Sequence, residues 1–105
     1  MASFEDFKKL EIKVGKILEV NDHPNADKLY ILKVNTGEER TLVAKIRGSY
    51  SKEELVDKKI IVICNLEPRE IRGIKSEGML LAVDADKKTS LLTVDKDVLE
   101  GSVVG

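Results

Sequence analysis

The sequence has no tryptophan and no glutamine, one cysteine, one histidine and two prolines, and its only aromatic residues are Phe4, Phe7, Tyr30 and Tyr50. Each shortage excludes something. So few rings cannot build a surface that grips nucleic acid mainly by stacking bases. A lone cysteine forbids an internal disulfide and points to a reducing, cytoplasmic setting. Within the run IIVIC, Cys64 reads as a small buried hydrophobe rather than a reactive thiol. With His23 the only histidine, histidine-based triads and zinc sites are ruled out. No apolar run approaches the ~20 residues of a membrane span, and the N-terminus has no signal-peptide core. The seven glycines are scattered, so no loop is built to cradle phosphate. No nucleophile–base pair is visible, and neither a metal nor a cofactor is implied.

What is present is a chain sized for one domain, residues 1–105, with one modest core. Hydrophobic residues make up 42% and charged residues 35%, so the surface is dense in ions of both signs. The plentiful Lys, Glu and Arg, with glutamine absent, is a balance found in heat-adapted proteins. A net charge of −1 conceals local clustering.

Ser3 and Asp6 have capping-box spacing, which predicts a short helical turn over residues 1–9, with Phe4 and Phe7 on one side. From Leu10 the period changes. Leu10, Ile12, Val14, Leu18 and Val20 fall on alternate positions as in a half-buried strand, and Gly15 beside Lys16 suggests a bulge or sharp bend there. Strands are predicted over 28–35 and 40–46, separated by the turn NTGEE. Ser51 and Glu54 start a one- or two-turn helix, and KIIVICNL follows as a strand buried on both faces. EPREIRGIKSEG reads as a charged loop or irregular strand, MLLAVDA as the fifth strand and LLTV as a further one. Five main strands with a short helix between the third and fourth give an all-β, five-stranded OB-fold, a Greek-key barrel with a C-terminal extension over 84–105. Periodicity alone leaves other small barrels open.

Three stretches narrow the choice. IKVGKILEV (12–20), HPNADKLYILKV (23–34) and VICNLEPREIRGIKSEGMLLA (62–82) resemble successive signatures of the tRNA-binding domain family. This OB-fold module occurs as a free-standing tRNA-binding protein and appended to synthetases. The likeness is greatest to the C-terminal domain or separate beta subunit of archaeal-type methionyl-tRNA synthetases. The resemblance implies a non-catalytic module that grips tRNA by backbone and shape with low sequence specificity and presents it to the synthetase catalytic subunit. It also implies a homodimer, paired through the N-terminal segment and the C-terminal extension, where Phe4, Phe7, Val98, Leu99, Val103 and Val104 are available to bury. The competing reading is a chaperone of the CsaA type, an OB-fold relative that binds unfolded polypeptide.

The site residues follow from the resemblance. Asn25 would hydrogen-bond to sugar or an exposed base, and Lys28 would meet phosphate. Lys33, Lys45, Arg72 and Lys75 would join a positive stripe that also takes in Lys13, Lys16, Arg47 and Arg69, with acids such as Asp84, Asp86 and Asp95 gathered elsewhere. Ser76 would bond a 2′-hydroxyl or phosphate, and Met79 would lie against a base or ribose. One departure is visible: the strand TLVAKI carries Ala44 and Lys45 where many members have Ser-Gly. Pro24, Asp27 and His23 read as structural.

Overall fold

The computed structural model describes residues 1–105. Both predicted capping boxes form. The Asp6 N–H donates to Ser3 Oγ and the Ser3 N–H to Asp6 Oδ2, each at 3.1 Å, which starts helix α1 (Phe4–Lys8). Ser51 and Glu54 do the same for α2 (Lys52–Leu55). Helices this short hold because the caps satisfy donors that no preceding turn can.

The strands in chain order are β1 (Ile12–Asp22), β2 (Tyr30–Asn35), β3 (Glu39–Ala44), β4 (Lys59–Ile63), β5 (Arg69–Ile71), β6 (Ile74–Ser76), β7 (Met79–Leu80), β8 (Ala82–Ala85) and β9 (Lys88–Leu91). One antiparallel sheet runs β3-β2-β1-β4-β7, while β5–β6 and β8–β9 are separate hairpins. The large sheet curls until β3 meets the chain entering β7. There the Glu77 N–H donates to Thr41 O at 2.8 Å, the Thr41 N–H to Glu77 Oε1 at 3.1 Å and the Val43 N–H to Ser76 Oγ at 3.0 Å. Side chains thus stand in for part of a ladder along this seam. The result is the five-stranded OB-type barrel expected from the order of elements.

Two cores follow from the alternation. Ile17, Leu32, Val34, Leu42, Ile60 and Val62 point inward and fill the barrel. Ile12, Val14, Ile61 and Ile63 point outward from β1 and β4 and are covered by Leu81 and Val94. This second cluster is why β4 reads as apolar on both faces. The C-terminal chain continues along β1 where β2 has ended: the Gly101 N–H donates to Val14 O at 2.7 Å and the Val104 N–H to Ile12 O at 2.8 Å.

Several details depart from the sequence expectation. The register of β1 against β2 slips between Ile17 and Glu19, so the bulge lies past Gly15. Gly15 is needed for close packing instead, since a Cβ there would sit 2.6 Å from Val34 Cγ1. MLLAVDA is not one strand. Leu81 turns into the outer cluster, its N–H donating to Ile61 O and its carbonyl accepting from Leu92, and β8 leaves to pair with β9. The last strand is Lys88–Leu91 rather than LLTV, because Asp86 and Lys87, at φ +50° and +63°, close a two-residue hairpin turn. The charged stretch after Pro68 is likewise a hairpin, with Arg72 at φ +52° and Gly73 at φ +88° as its tip.

Candidate nucleic-acid interface

The outer face of β2 and β3 is set by their period of two. Leu32, Val34, Leu42 and Ala44 are buried, which leaves Ile31, Lys33, Thr41, Val43 and Lys45 on the other side. Cross-strand pairs Ile31–Val43 and Lys33–Thr41 place these side chains together. At the Val43–Lys45 end the β5–β6 and β8–β9 hairpins rise on either side and enclose a groove of about 890 Å³. Its floor is aliphatic, with Leu29, Val43, Ile71 and Leu80, and no aromatic ring lines it. The four rings are used elsewhere. Tyr30 Oη donates to Tyr50 O, Tyr50 Oη accepts from the Leu91 N–H, and Phe4 and Phe7 lie exposed on α1.

Lys45, Arg69, Lys87 and Lys88 stand among the lining residues, against Glu67, Asp84 and Asp86. The groove is therefore mixed in charge. Two acids that the sequence reading placed away from the binding face, Asp84 and Asp86, belong to its wall, because the β8–β9 hairpin lines the same groove as Val43 and Ala44.

The segment 23–29 docks at the hairpin end of this groove. The Arg47 N–H donates to Lys28 O at 3.4 Å, and His23 is hydrogen-bonded to Ile71 O at 3.0 Å. Leu29 enters the groove lining, while Asn25 and Lys28 remain exposed. Lys28, Lys45, Arg69, Arg72 and Lys75 are thus grouped around the β5–β6 hairpin and the end of β3. None of the five is held in an ion pair; Lys75 faces Glu70 across the ladder without forming one.

The rest of the expected stripe behaves differently. Lys13 pairs with Glu11 at 3.0 Å, Lys16 with Asp57 at 3.9 Å and Arg47 with Asp22 at 3.5 Å. Glu11 also raises the Lys13 ammonium above its usual range, first through a hydrogen bond and then through charge. Lys33 lies between Glu19 and Glu39, at 3.9 and 3.8 Å. Those contacts are solvent-exposed and weak, so the ammonium can exchange a carboxylate for a phosphate.

Ser76 and Met79 both line the groove but differ in exposure. Met79 is 48% exposed and lines the groove. Ser76 is 4% exposed, and its hydroxyl donates to Gly78 O at 3.1 Å while accepting from Val43. Gly78, at φ +151°, leaves no room for a Cβ, which would meet Ile63 O at 2.8 Å. KSEGM is thus the closing stretch of the barrel, with one apolar side chain projecting into the groove.

Sequence reasoning missed Arg40. Its Nε donates to Thr36 Oγ1 at 2.9 Å, one terminal nitrogen donates to Cys64 O at 2.9 Å and Glu77 O at 2.8 Å, and the other reaches Glu38 at 2.7 Å. The signal was available: Arg40 has the same parity as inward-facing Leu42 and Ala44.

A family model described as "Putative tRNA binding domain" matches residues 12–103. The methionine–tRNA ligase of Pyrococcus horikoshii is 56% identical over 102 residues, covering 96% of this chain but only 14% of the ligase. The CsaA chaperone protein of Picrophilus torridus superposes with a TM-score of 0.93 at 35% identity, over 100% of both chains. A MetRS related protein from Pyrococcus horikoshii superposes at 0.92 with 34% identity, over 100% of this chain and 98% of that one. With its barrel, its docked HPNADKL segment and its match over nearly the whole length, the chain belongs to the tRNA-binding domain family.

Proposed function

We propose that this chain is a non-catalytic cytoplasmic module that binds tRNA through backbone and shape, as the auxiliary domain or beta subunit of a methionyl-tRNA synthetase. The grouping of cations without an ion-pair partner carries the reading: Lys45 and Arg69 line the groove, and Lys28, Arg72 and Lys75 lie on the segment and hairpin that border it, while Lys13, Lys16 and Arg47 each face a carboxylate. Phosphates would be met by Lys28, Lys45, Arg72 and Lys75, with Lys33 exchanging a carboxylate for phosphate. Asn25 would supply a sugar or base hydrogen bond and Met79 an apolar contact. Ser76 acts one step back, by holding the seam on which Met79 and Lys75 are displayed.

Such a surface carries little sequence information. Affinities for different tRNAs should lie within about tenfold, and salt should weaken them together. A salt titration of tRNA binding, run beside an unfolded polypeptide, tests this. Tight peptide binding without RNA affinity would favour the second reading, a CsaA-like chaperone, which the aliphatic floor and the superposition with that chaperone support.

We also propose a homodimer. Phe4, Leu99 and Val103 are 71%, 75% and 76% exposed on the two terminal segments that flank β1 and β4. Sedimentation at micromolar concentration should give twice the 11.7 kDa chain mass, and a clean monomer refutes it.

A further inference from the structure

His23 is the only histidine, and it is 3% exposed. Its two ring nitrogens do different work. Nδ1 accepts from the Asn25 backbone N–H at 3.0 Å, so it carries no proton. The proton therefore sits on Nε2, which donates to Ile71 O at 3.0 Å, across a separation of 48 positions in the chain. Backbone groups on two elements thus fix the neutral Nε2–H tautomer.

Those two elements carry or adjoin Lys28, Arg69 and Arg72, none of which is held in an ion pair. Asn25 opens the segment that bears Lys28, and Ile71 is the last residue of β5, directly before Arg72 at the hairpin tip. The β5–β6 hairpin has only two strands of three residues, too few to be rigid alone. Ser76 fastens its base to β3, and the His23 bond fastens it near the tip. We infer that His23 is a positioning residue that ties the 23–29 segment to the β5–β6 hairpin, so that Asn25 and Lys28 on one side and Arg69 and Arg72 on the other form one preorganised surface. This rests on the tRNA-binding reading above. Without the tie the same cations remain, but the hairpin must be ordered when the ligand arrives, and that cost falls on affinity.

Two substitutions separate the two ring nitrogens. In His23→Asn the amide oxygen replaces Nδ1 and keeps the local turn, but nothing reaches Ile71. In His23→Gln the amide nitrogen lies near the place of Nε2 and keeps the tie, while the turn acceptor is lost. Nitrogen-15 NMR of the parent should show a single imidazole protonated on Nε2. Amides of the β5–β6 ladder should exchange about tenfold faster in His23→Asn and return towards the parent rate in His23→Gln. Binding to unfractionated tRNA should weaken roughly threefold to tenfold in His23→Asn, at the parent's salt slope because no cation is removed, and recover in His23→Gln.

A proton on Nδ1, unchanged exchange in His23→Asn, or equal loss in both variants overturns the inference. A parent that binds no tRNA instead overturns the functional reading, while hairpin exchange still decides whether His23 makes the tie.

Discussion

Arg40→Met is the sharpest test of how the barrel stays closed. The guanidinium joins β3 to the end of β4 and to the chain entering β7, with its side chain only 10% exposed. Methionine keeps the apolar stem and removes the donors. Of the four hydrogen bonds, the one to Glu38 counts least, because that carboxylate is 74% exposed and screened by water. The cost lies at the carbonyls of Cys64 and Glu77, which lose their guanidinium partner at roughly 1–3 kcal/mol each. The two together come to roughly 2–6 kcal/mol, and a central value of about 4 kcal/mol corresponds to a melting temperature about 15–30 °C lower in a domain of this size. Circular dichroism reads the melt directly. Because Glu77 adjoins Ser76, Gly78 and Met79 at the groove, tRNA affinity should also fall below the melting transition, with the salt slope of the parent. A variant that melts within about 4 °C of the parent would mean that water satisfies those carbonyls and that the seam does not depend on Arg40.

Three further outcomes are expected. Lys28→Ala and Arg72→Ala should each lower the slope of log affinity against log salt by up to about one unit, with melting unchanged; unaltered slopes remove both from the site. Gly15→Ala forces a Cβ to 2.6 Å from Val34 Cγ1 and 3.1 Å from Thr36 Cγ2, so urea denaturation should show a loss of about 1–3 kcal/mol at constant m. In acid, the carboxyls of Asp6 and Glu54 are held below their ordinary range chiefly by the backbone N–H groups of Ser3 and Ser51, and that of Asp97 by the Lys59 hydrogen bond. A depressed carboxyl contributes stability above its unfolded value and loses it as pH falls through its folded one. Once exchange is corrected for its intrinsic pH dependence, the protection of the Ser3 and Ser51 amides should therefore fall only below about pH 4, and a fall near neutrality would contradict the capping assignment.

Most of the architecture was legible because it is periodic. Leu32, Val34, Leu42 and the run Ile60–Cys64 announce strands by alternation or by unbroken apolar character, and the two capping boxes are local chemistry. Gly73 marks one hairpin tip in the usual way, but Arg72 beside it and the pair Asp86–Lys87 at the other tip adopt left-handed backbone where glycine or asparagine is the usual sign, which obscured the hairpins. The site was legible in part. Composition showed which residues are cationic but not which are already neutralised, since the partners of Lys16 and Arg47 arrive only through the fold. Ser76 was drawn to the RNA by its motif, whereas its hydroxyl is engaged on both sides by Val43 and Gly78.

The double burial of β4 has a consequence for how the chain finds its pairing. In a strand with one wet face, a slip of one residue drives its hydrophobic set into water. In β4 the same slip would exchange Ile60 and Val62 for Ile61 and Ile63, from one apolar compartment into another. Hydrophobicity is nearly blind to that error. The decision passes to the two ends. Lys59 must reach Asp97, at 2.6 Å, and the carbonyl of Val98. At the other end the carbonyl of Cys64 must meet Arg40, and Asn65 must accept from the Glu11 N–H while donating to Lys9 O, both at 2.7 Å. A slipped strand would lose all of these at once. Residues 59 and 65 would pass for ordinary surface positions in a stability scan, yet they index the strand like marks on a ruler, guarding against a wrong fold more than strengthening the right one.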